Sequence, residues 1–398
     1  MRNLFNRLMF KFVIVLIMVL LTAPGTAISQ SGVRRIINIP DISGYHTLKC
    51  DFHMHTVFSD GLVWPTVRVQ EAYLEGLDAI TISDHDDYAP HRPDIPVNFP
   101  RPYEIALPAA KAASIILIPG IEISRSEPFG HHNAIFVSDF GAFDFWEKNA
   151  AAPADTLKNH RTASNQGAFI FWNHPGWKQP DRRGVWTYAQ DTINGNGWLG
   201  GIEVVNGGRY DPVAHQWCIE KKLTMMGNSD IHDLIIYRHN LSDGDHRPMT
   251  LVFASEHSQE GIKDALLAQR TAIWWEDTLI GNARYLKPIF ETSMSLSANR
   301  VELSPGNQVT VHLSNSSDIP MTLERIPGES AVQKMINAPQ RLTIPAQRTV
   351  SMQLRCRKEQ IASSQSGSLS YCVTNFLVAP EQGLEVTLPL EIVLQQAQ

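Results

Sequence analysis

Eight short apolar runs, at residues 48–52, 77–83, 115–123, 134–137, 168–172, 201–205, 224–226 and 249–253, alternate with amphipathic stretches such as 65–75, 212–222 and 259–269. Apolar strands that alternate with helices predict a parallel sheet with both faces covered. In the first amphipathic stretch Val67, Ala72, Tyr73 and Leu74 approximate one helical face, and Pro65 suits a first helical turn. Seven or eight such strands in about 250 residues close most naturally as a TIM-like α/β barrel.

The pattern changes near residues 286–288. All nine Trp precede residue 276, and fourteen of the fifteen His precede residue 258, leaving only His312 beyond. From about Ile289 the alternation has period two, as in Val309-Thr310-Val311-His312-Leu313 and Leu384-Glu385-Val386-Thr387-Leu388, with a turn former at Pro305-Gly306. A small all-β sandwich fits that pattern, and its scarcity of titratable groups suits a packing or binding accessory.

The start of the chain reads as a secretory leader. Arg2, Arg7 and Lys11 precede an unbroken apolar run at 12–21, and small residues follow at Ala23, Gly25, Ala27 and Ser29. Ten or so apolar residues are too few to span a bilayer of ~30 Å. The expected division is a signal peptide at 1–29, a barrel at 30–286 and a sandwich at 287–398, exported to the periplasm or secreted, with no membrane span after leader removal. In such a compartment disulfides are permitted. Cys356 and Cys372 lie in two strand-like runs and can staple them, whereas Cys50 and Cys218 sit in apolar contexts that suit buried thiols. The formal net charge is −6, and loss of the basic leader makes the rest more acidic. Such a surface argues against tracking along nucleic acid. An anionic substrate is then attracted locally, for instance by bound cations.

The chemistry sits at the ends of the runs. His53 and His55, in Asp51-Phe52-His53-Met54-His55, share a face if the strand continues through them. Asp60 follows shortly, His85 follows the second run, and Glu122 ends the third. His131 and His132 flank the fourth, His174 follows the fifth, and Asp230 and His232 follow the seventh. Barrel enzymes build their sites at strand C-termini, and imidazoles with carboxylates suit Zn, Mn or Fe. A metal centre explains this placement better than coincidental core histidines. His131 precedes its run, so that strand runs the other way or its boundary lies elsewhere. So many donors at one rim exceed the needs of a single ion. Ions held there can activate a water as a nucleophile.

The order and wording of these motifs resemble the PHP family, the polymerase and histidinol phosphatase superfamily, over about residues 48–280. The resemblance implies a distorted barrel of seven strands and two or three Zn, Mn or Fe ions. It implies His53, His55, Asp60, His85, Glu122, His131, His174, Asp230 and His232 as ligands, six imidazoles and three carboxylates that suit two or three ions with Glu122 a natural bridge. It makes hydrolysis of a phosphate ester by a metal-activated hydroxide the expected reaction, with His53, Glu122 and Asp230 central to catalysis. Gly130-His131-His132-Asn133 offers two adjacent imidazoles, of which His131 matches the family form. The pairing of barrel and sandwich resembles a branch of exported bacterial phosphodiesterases. On that likeness a small organic phosphodiester is favoured over a monoester.

Several neighbours have two readings. Asp84 can hold an imidazole tautomer or cap a helix. Arg125 and Arg247 can clamp a phosphate oxygen or form solvated ion pairs, and Arg125 is the candidate taken into the catalytic set. Glu203, a charge within an apolar strand, needs a partner and either orients a ligand or satisfies an interior network, as does Asn206. Trp172, Trp177 and Trp186 can wall a pocket or pack at the rim. Residues 92–102 are Pro-rich and long enough for a lid-like loop. His91, His160, His215, His239 and His257 lack ligand spacing. Two rivals remain: an amidohydrolase, which also opens with His-x-His, and a non-catalytic envelope or glycan-binding protein. Glu122 in the bridging place and the closing Asp230-Ile231-His232 argue against the first, and the full ligand set argues against the second.

Overall fold

The computed structural model describes residues 32–147, 155–359 and 363–396. The leader-like start lies outside them. Strands β1 (His46–Asp51), β2 (Ala79–Ile82) and β3 (Ile116–Ser124) are parallel neighbours, and β4 (His131–Ile135) follows β3 antiparallel, with Glu122 opposite Asn133 and Ser124 opposite His131. The sheet continues through β5 (Phe169–Trp172) and β6 (Leu199–Asn206), from which the two-residue β7 (Arg209–Tyr210) turns back, and on to β8 (Thr224–Asn228), parallel to β6. Beyond their ends β1 and β8 meet. Asp230 N donates to His53 O at 2.9 Å and His55 N to Ile231 O at 3.0 Å. Seven strands, β1 to β6 and β8, thus form the expected distorted barrel, with β4 reversed. The reversal puts the start of β4 at the same rim as the ends of its neighbours, so His131 reaches that rim from the other direction.

Helices cover the barrel for local reasons. Helix α1 (Pro65–Glu75) has Pro in its first turn and stops at Gly76, whose φ of 86° is left-handed and whose N–H returns to Tyr73 O. Helix α2 (Arg101–Ala113) precedes β3, and the short helices α3 (Lys158–Asn165) and α4 (Tyr188–Gly195) precede β5 and β6. Asp211 caps α5 (Pro212–Lys221), and Ser258 caps α6 (Gln259–Leu267). Strands β2, β5, β8 and the antiparallel neighbour of β1, β9 (Met249–Ala254), are buried along their whole length, as strands covered on both faces require. At Gly227 of β8 a Cβ would stand 2.2 Å from Ile273 Cγ2, so only glycine lets β8 approach β10 (Thr271–Trp275).

The sandwich is present but is not separate. Arg35–Gln398 form one unit. Strand β11 (Thr278–Gly281) pairs antiparallel with β10 on one side and parallel with strand Ser370–Ala379 on the other, Leu279 opposite Phe376 and Ile280 opposite Leu377. One sandwich sheet therefore continues the barrel sheet and covers an edge that would otherwise lie open. Helix α7 (Ala283–Ser293) runs across the expected boundary at 286–287, burying Leu286, Ile289 and Phe290, and the period-two strands begin at Met294. The expected Cys356–Cys372 staple does not form, and all four thiols are free. Cys356 lies opposite Ile336 in one sheet, whereas Cys372 lies between Glu324 and Glu385 in the other. Cys356 is buried, whereas Cys372 alternates with the buried Tyr371 and Val373 and so faces the other side of its strand, away from the core. Among the described residues no helix is long and apolar enough to cross a membrane.

Candidate metal centre

All nine expected ligands meet at the rim. Four overlapping groups have donor atoms within 4.8 Å of one another: His55, Asp60, His85 and His232; His53, His55 and Asp230; His53, Glu122 and His174; His85, Glu122 and His131. Their positions follow from the strands. His53 and His55 sit on the continuation of β1, His85 just past β2, Glu122 on β3, His131 at the start of β4 and His174 just past β5. Asp230 and His232 follow β8, and both His174 (φ 31°) and Asp230 (φ 52°) have left-handed backbone that turns the chain back at the rim.

Glu122 is the hub. Its Oε2 lies 3.3 Å from His53 Nε2, 3.2 Å from His55 Nε2 and 3.1 Å from His85 Nδ1. Its Oε1 lies 3.0 Å from His131 Nδ1 and 3.6 Å from His174 Nε2. Asp230 Oδ1 stands 3.1 Å from His53 Nε2 and 3.2 Å from His55 Nε2, and Asp60 Oδ1 stands 3.2 Å from His232 Nε2. The two Nε2 atoms of His53 and His55 face each other at 3.1 Å. Nitrogen lone pairs and carboxylate oxygens that converge this closely need positive charge between them. Asp60 Oδ1 is buried beside the imidazole nitrogens of His232 and His85, the latter at 3.5 Å, a position that suits a ligand oxygen. The donor set fits divalent ions with mixed imidazole and carboxylate ligation.

Protonation follows the same logic. Burial favours neutral Glu122 and Asp230, but the imidazoles around them hold both carboxyls well below the ordinary range. Burial likewise opposes charge on His53 and His55, and the carboxylates outweigh it, raising His53 well above the usual imidazole value and His55 to about 10. His85 goes the other way, pushed by burial to about 3.

Neighbouring residues, some of them singled out from the sequence, fix these side chains. Glu203 Oε1 accepts from His53 Nδ1 at 2.8 Å and from Asn228 Nδ2 at 2.9 Å, while Oε2 accepts from the His174 N–H and Asn206 Nδ2, both at 2.8 Å. Glu203 thus orients His53 directly. Asn173 Nδ2 donates to Glu122 Oε1 at 2.9 Å, and Ser124 Oγ lies 2.6 Å from His85 Nδ1. Asp84 does not cap a helix. It accepts from Thr56 N, Thr56 Oγ1 and Ser59 Oγ, and Ser59 Oγ in turn meets His55 Nδ1 at 3.3 Å. The fully buried Arg68 donates to His55 O, Ile231 O and Asp233 O, tying together the two segments that carry His55 and His232. The sequence marks Glu203 as a charge within an apolar strand and Asp84 by its place beside His85, whereas Asn173, Ser124 and Arg68 carry no such signal.

Both arginines singled out from the sequence are buried and paired. Arg125 Nη1 donates to Asp86 Oδ1 at 2.8 Å, and its guanidinium lies over Trp146. Asp86, a carboxylate 39 positions away in sequence, takes up the fork that a phosphate would need. Arg247 bonds Asp51 and Glu75 beneath the centre. His132 points away from the cluster and meets His160 Nε2 at 3.3 Å. His215 bonds Tyr210 OH, His239 pairs with Asp245, His257 lies 3.9 Å from Asp78, and His91 is half-buried outside the cluster. Trp172 is buried and stacked on Trp217, with Trp186 edge-on to both, whereas Trp177 lies against the His131 and His174 rings. Within residues 92–102, Asn98, Phe99 and Pro102 line a narrow cleft beside His85.

Comparison with known proteins places this geometry. The Ig-like domain family matches residues 294–389. A solved two-domain protein of Bacteroides vulgatus, described as containing a predicted PHP-like metal-dependent phosphoesterase, is 40% identical, with a TM-score of 0.80, over 89% of this chain and 98% of that one. A 5′-3′ exoribonuclease of Haemophilus influenzae is 37% identical over 80 residues, 20% of this chain, so the match spans only 25% of that curated relative.

Proposed function

The chain belongs to the two-domain PHP-like metal-dependent phosphoesterases, and we propose that it hydrolyses a small organic phosphodiester at a centre of two or three Mn, Zn or Fe ions. The observation that carries this reading is Glu122, whose two oxygens face different sets of imidazoles. A carboxylate so placed suits a bridge between ions. Bound divalent ions supply Lewis acidity at phosphoryl oxygens and lower the pKa of water towards neutrality.

The chain's own groups arrange that chemistry. Glu203 accepts a hydrogen bond from the Nδ1–H of His53 and leaves Nε2 free to ligate. Asn173 holds Glu122 Oε1 in place. His232, 35% exposed and the most open of the nine, is fixed through Nδ1 to Asp230 O and presents Nε2 beside Asp60 at the mouth. An ester therefore reaches the centre from the side of Asp60 and His232, over a floor closed by buried His53, His55 and Glu122.

The diester preference rests on the two-domain likeness. The exoribonuclease likeness is confined to 80 residues, and with a net charge of −6 we do not place polymeric nucleic acid among the substrates. The basic start and apolar run at 12–21 support an exported protein. The test is a screen of the Mn- and Zn-reconstituted chain against aryl and alkyl phosphomonoesters and phosphodiesters. Diester turnover that chelation abolishes is the expected result. Turnover of an amide or lactone without any phosphate ester would overturn the reading.

A further inference from the structure

A shallow cleft open to solvent lies beside His174, lined among others by Trp177, Arg182, Glu203, Asn206 and Arg209. Trp177 is the aromatic wall. Its ring centroid lies 5.3 Å from that of His131 and 5.2 Å from that of His174, yet its surface is 46% exposed. An indole wedged against two ligand imidazoles and open to solvent on its remaining surface is poised to touch whatever is attached to a phosphate on the centre. The loop that carries it is pinned. Trp177 N donates to His174 O, Arg182 Nη1 to Trp177 O, and Gly184 N to Asp211 Oδ2. At Gly176 a Cβ would stand 2.2 Å from Arg182 O, so the loop folds tightly on itself.

The charge of this cleft is not what its residue types suggest. Its two carboxylates are spent. Glu203 accepts four hydrogen bonds, and Asp211 accepts from Val213 N, Ala214 N and Gly184 N. Among the described residues Lys178, Arg182 and Arg209 have no carboxylate partner, and Lys178 Nζ rests 4.7 Å from the Trp177 ring centre. Arg182 and Arg209 in the lining, with Lys178 beside Trp177, are therefore cations that no carboxylate holds, whereas Glu203 and Asp211 are turned to donors of the protein itself.

We propose that this cleft is the subsite for the organic group of the ester, and that it selects a planar aromatic group on Trp177 while Lys178, Arg182 and Arg209 disfavour a cationic one. The inference rests on the esterase reading above, and it names the class of substrate: aryl rather than aminoalkyl esters. Aromatic contact of this kind is worth about tenfold in affinity.

The test uses three phosphonates that resist hydrolysis and share one phosphoryl head: phenylphosphonate, methylphosphonate and 2-aminoethylphosphonate. Their dissociation constants are measured by calorimetry on the Mn-loaded full chain. Phenylphosphonate is expected to bind about tenfold tighter than methylphosphonate, and the aminoethyl compound weakest. Trp177→Ala should weaken phenylphosphonate about tenfold more than methylphosphonate, and Trp177→Phe should keep most of the preference. Arg182→Ala with Arg209→Ala should narrow the gap between the aminoethyl and methyl compounds. Equal binding of phenyl and methyl compounds, equal weakening of both by Trp177→Ala, or no binding of any of the three overturns the proposal. Turnover of bis(4-nitrophenyl) phosphate, measured in parallel, separates the two readings. Its absence with the aryl preference intact overturns the phosphodiesterase reading alone, whereas its presence without that preference overturns the subsite alone.

Discussion

Glu203 Oε1 lies 2.8 Å from His53 Nδ1, and both side chains are fully buried. This contact settles the tautomer of His53 and aims its Nε2 at Glu122 and Asp230. Glu203→Gln keeps the shape and removes the charge that raises the basicity of His53. Metal affinity should fall by about 10–100-fold, as read by competition with a chelator at neutral pH. Unchanged affinity would mean that the contact only fills space.

The ion-free chain should be most stable near neutral pH. His53 and His55 are raised by their carboxylates, His55 to about 10. Their protonation stabilises the fold fully below about pH 6.5 and is lost as pH rises through about 10. His85 and His132, pushed by burial down to about 3, act in the opposite direction. Unfolding lets them take up protons, so stability falls as pH drops below about 6.5. The Tm in chelator should therefore decline on both sides of neutrality. Mn loading should remove the alkaline decline, because ions replace those protons. A chelated chain with a flat Tm from about pH 7 to 10 contradicts this.

Arg68 ties the His55 and Ile231 carbonyls together and pairs with Glu71. Arg68→Met leaves Glu71 and those carbonyls uncompensated and should cost about 3–5 kcal/mol in chemical denaturation. Lysine should not rescue it, since one ammonium cannot reproduce the fork. Full stability in either variant would show that the carbonyls find other partners.

Much of this centre was legible because each ligand lies within a few residues of an apolar run, and chain reversals at a barrel rim gather such positions. The reversed β4 could be suspected from His131 standing before its run. Glu203 and Asp84 stood out as candidate supports, but which groups they and the arginines meet was not legible, because a partner's identity is set by folding rather than by neighbourhood. Arg125 is opposed by Asp86, 39 residues away, and Arg247 by Glu75 and Asp51, 172 and 196 residues away. No local pattern distinguishes such an arginine from a phosphate clamp. The same holds for Cys356 and Cys372. Period two shows that each lies in a strand, but the assignment of strands to sheets depends on pairings across the chain.

The seam between barrel and sandwich should make the two unfold together. Phe376 is fully buried and stands opposite Leu279 of β11. Phe376→Ala should cost about 3–5 kcal/mol and lower a single shared transition, leaving metal affinity unchanged. A melted sandwich beside an intact barrel would contradict the shared sheet.

The most direct measurement is metal content by elemental analysis, paired with diester hydrolysis before and after exhaustive chelation, for the natural chain and Glu122→Gln. The natural chain should carry about two or three divalent ions, lose turnover on chelation and regain it with Mn or Zn, while the folded variant binds fewer ions and turns nothing over. Full turnover by a chelated chain holding less than about one ion would contradict a metal centre at this rim.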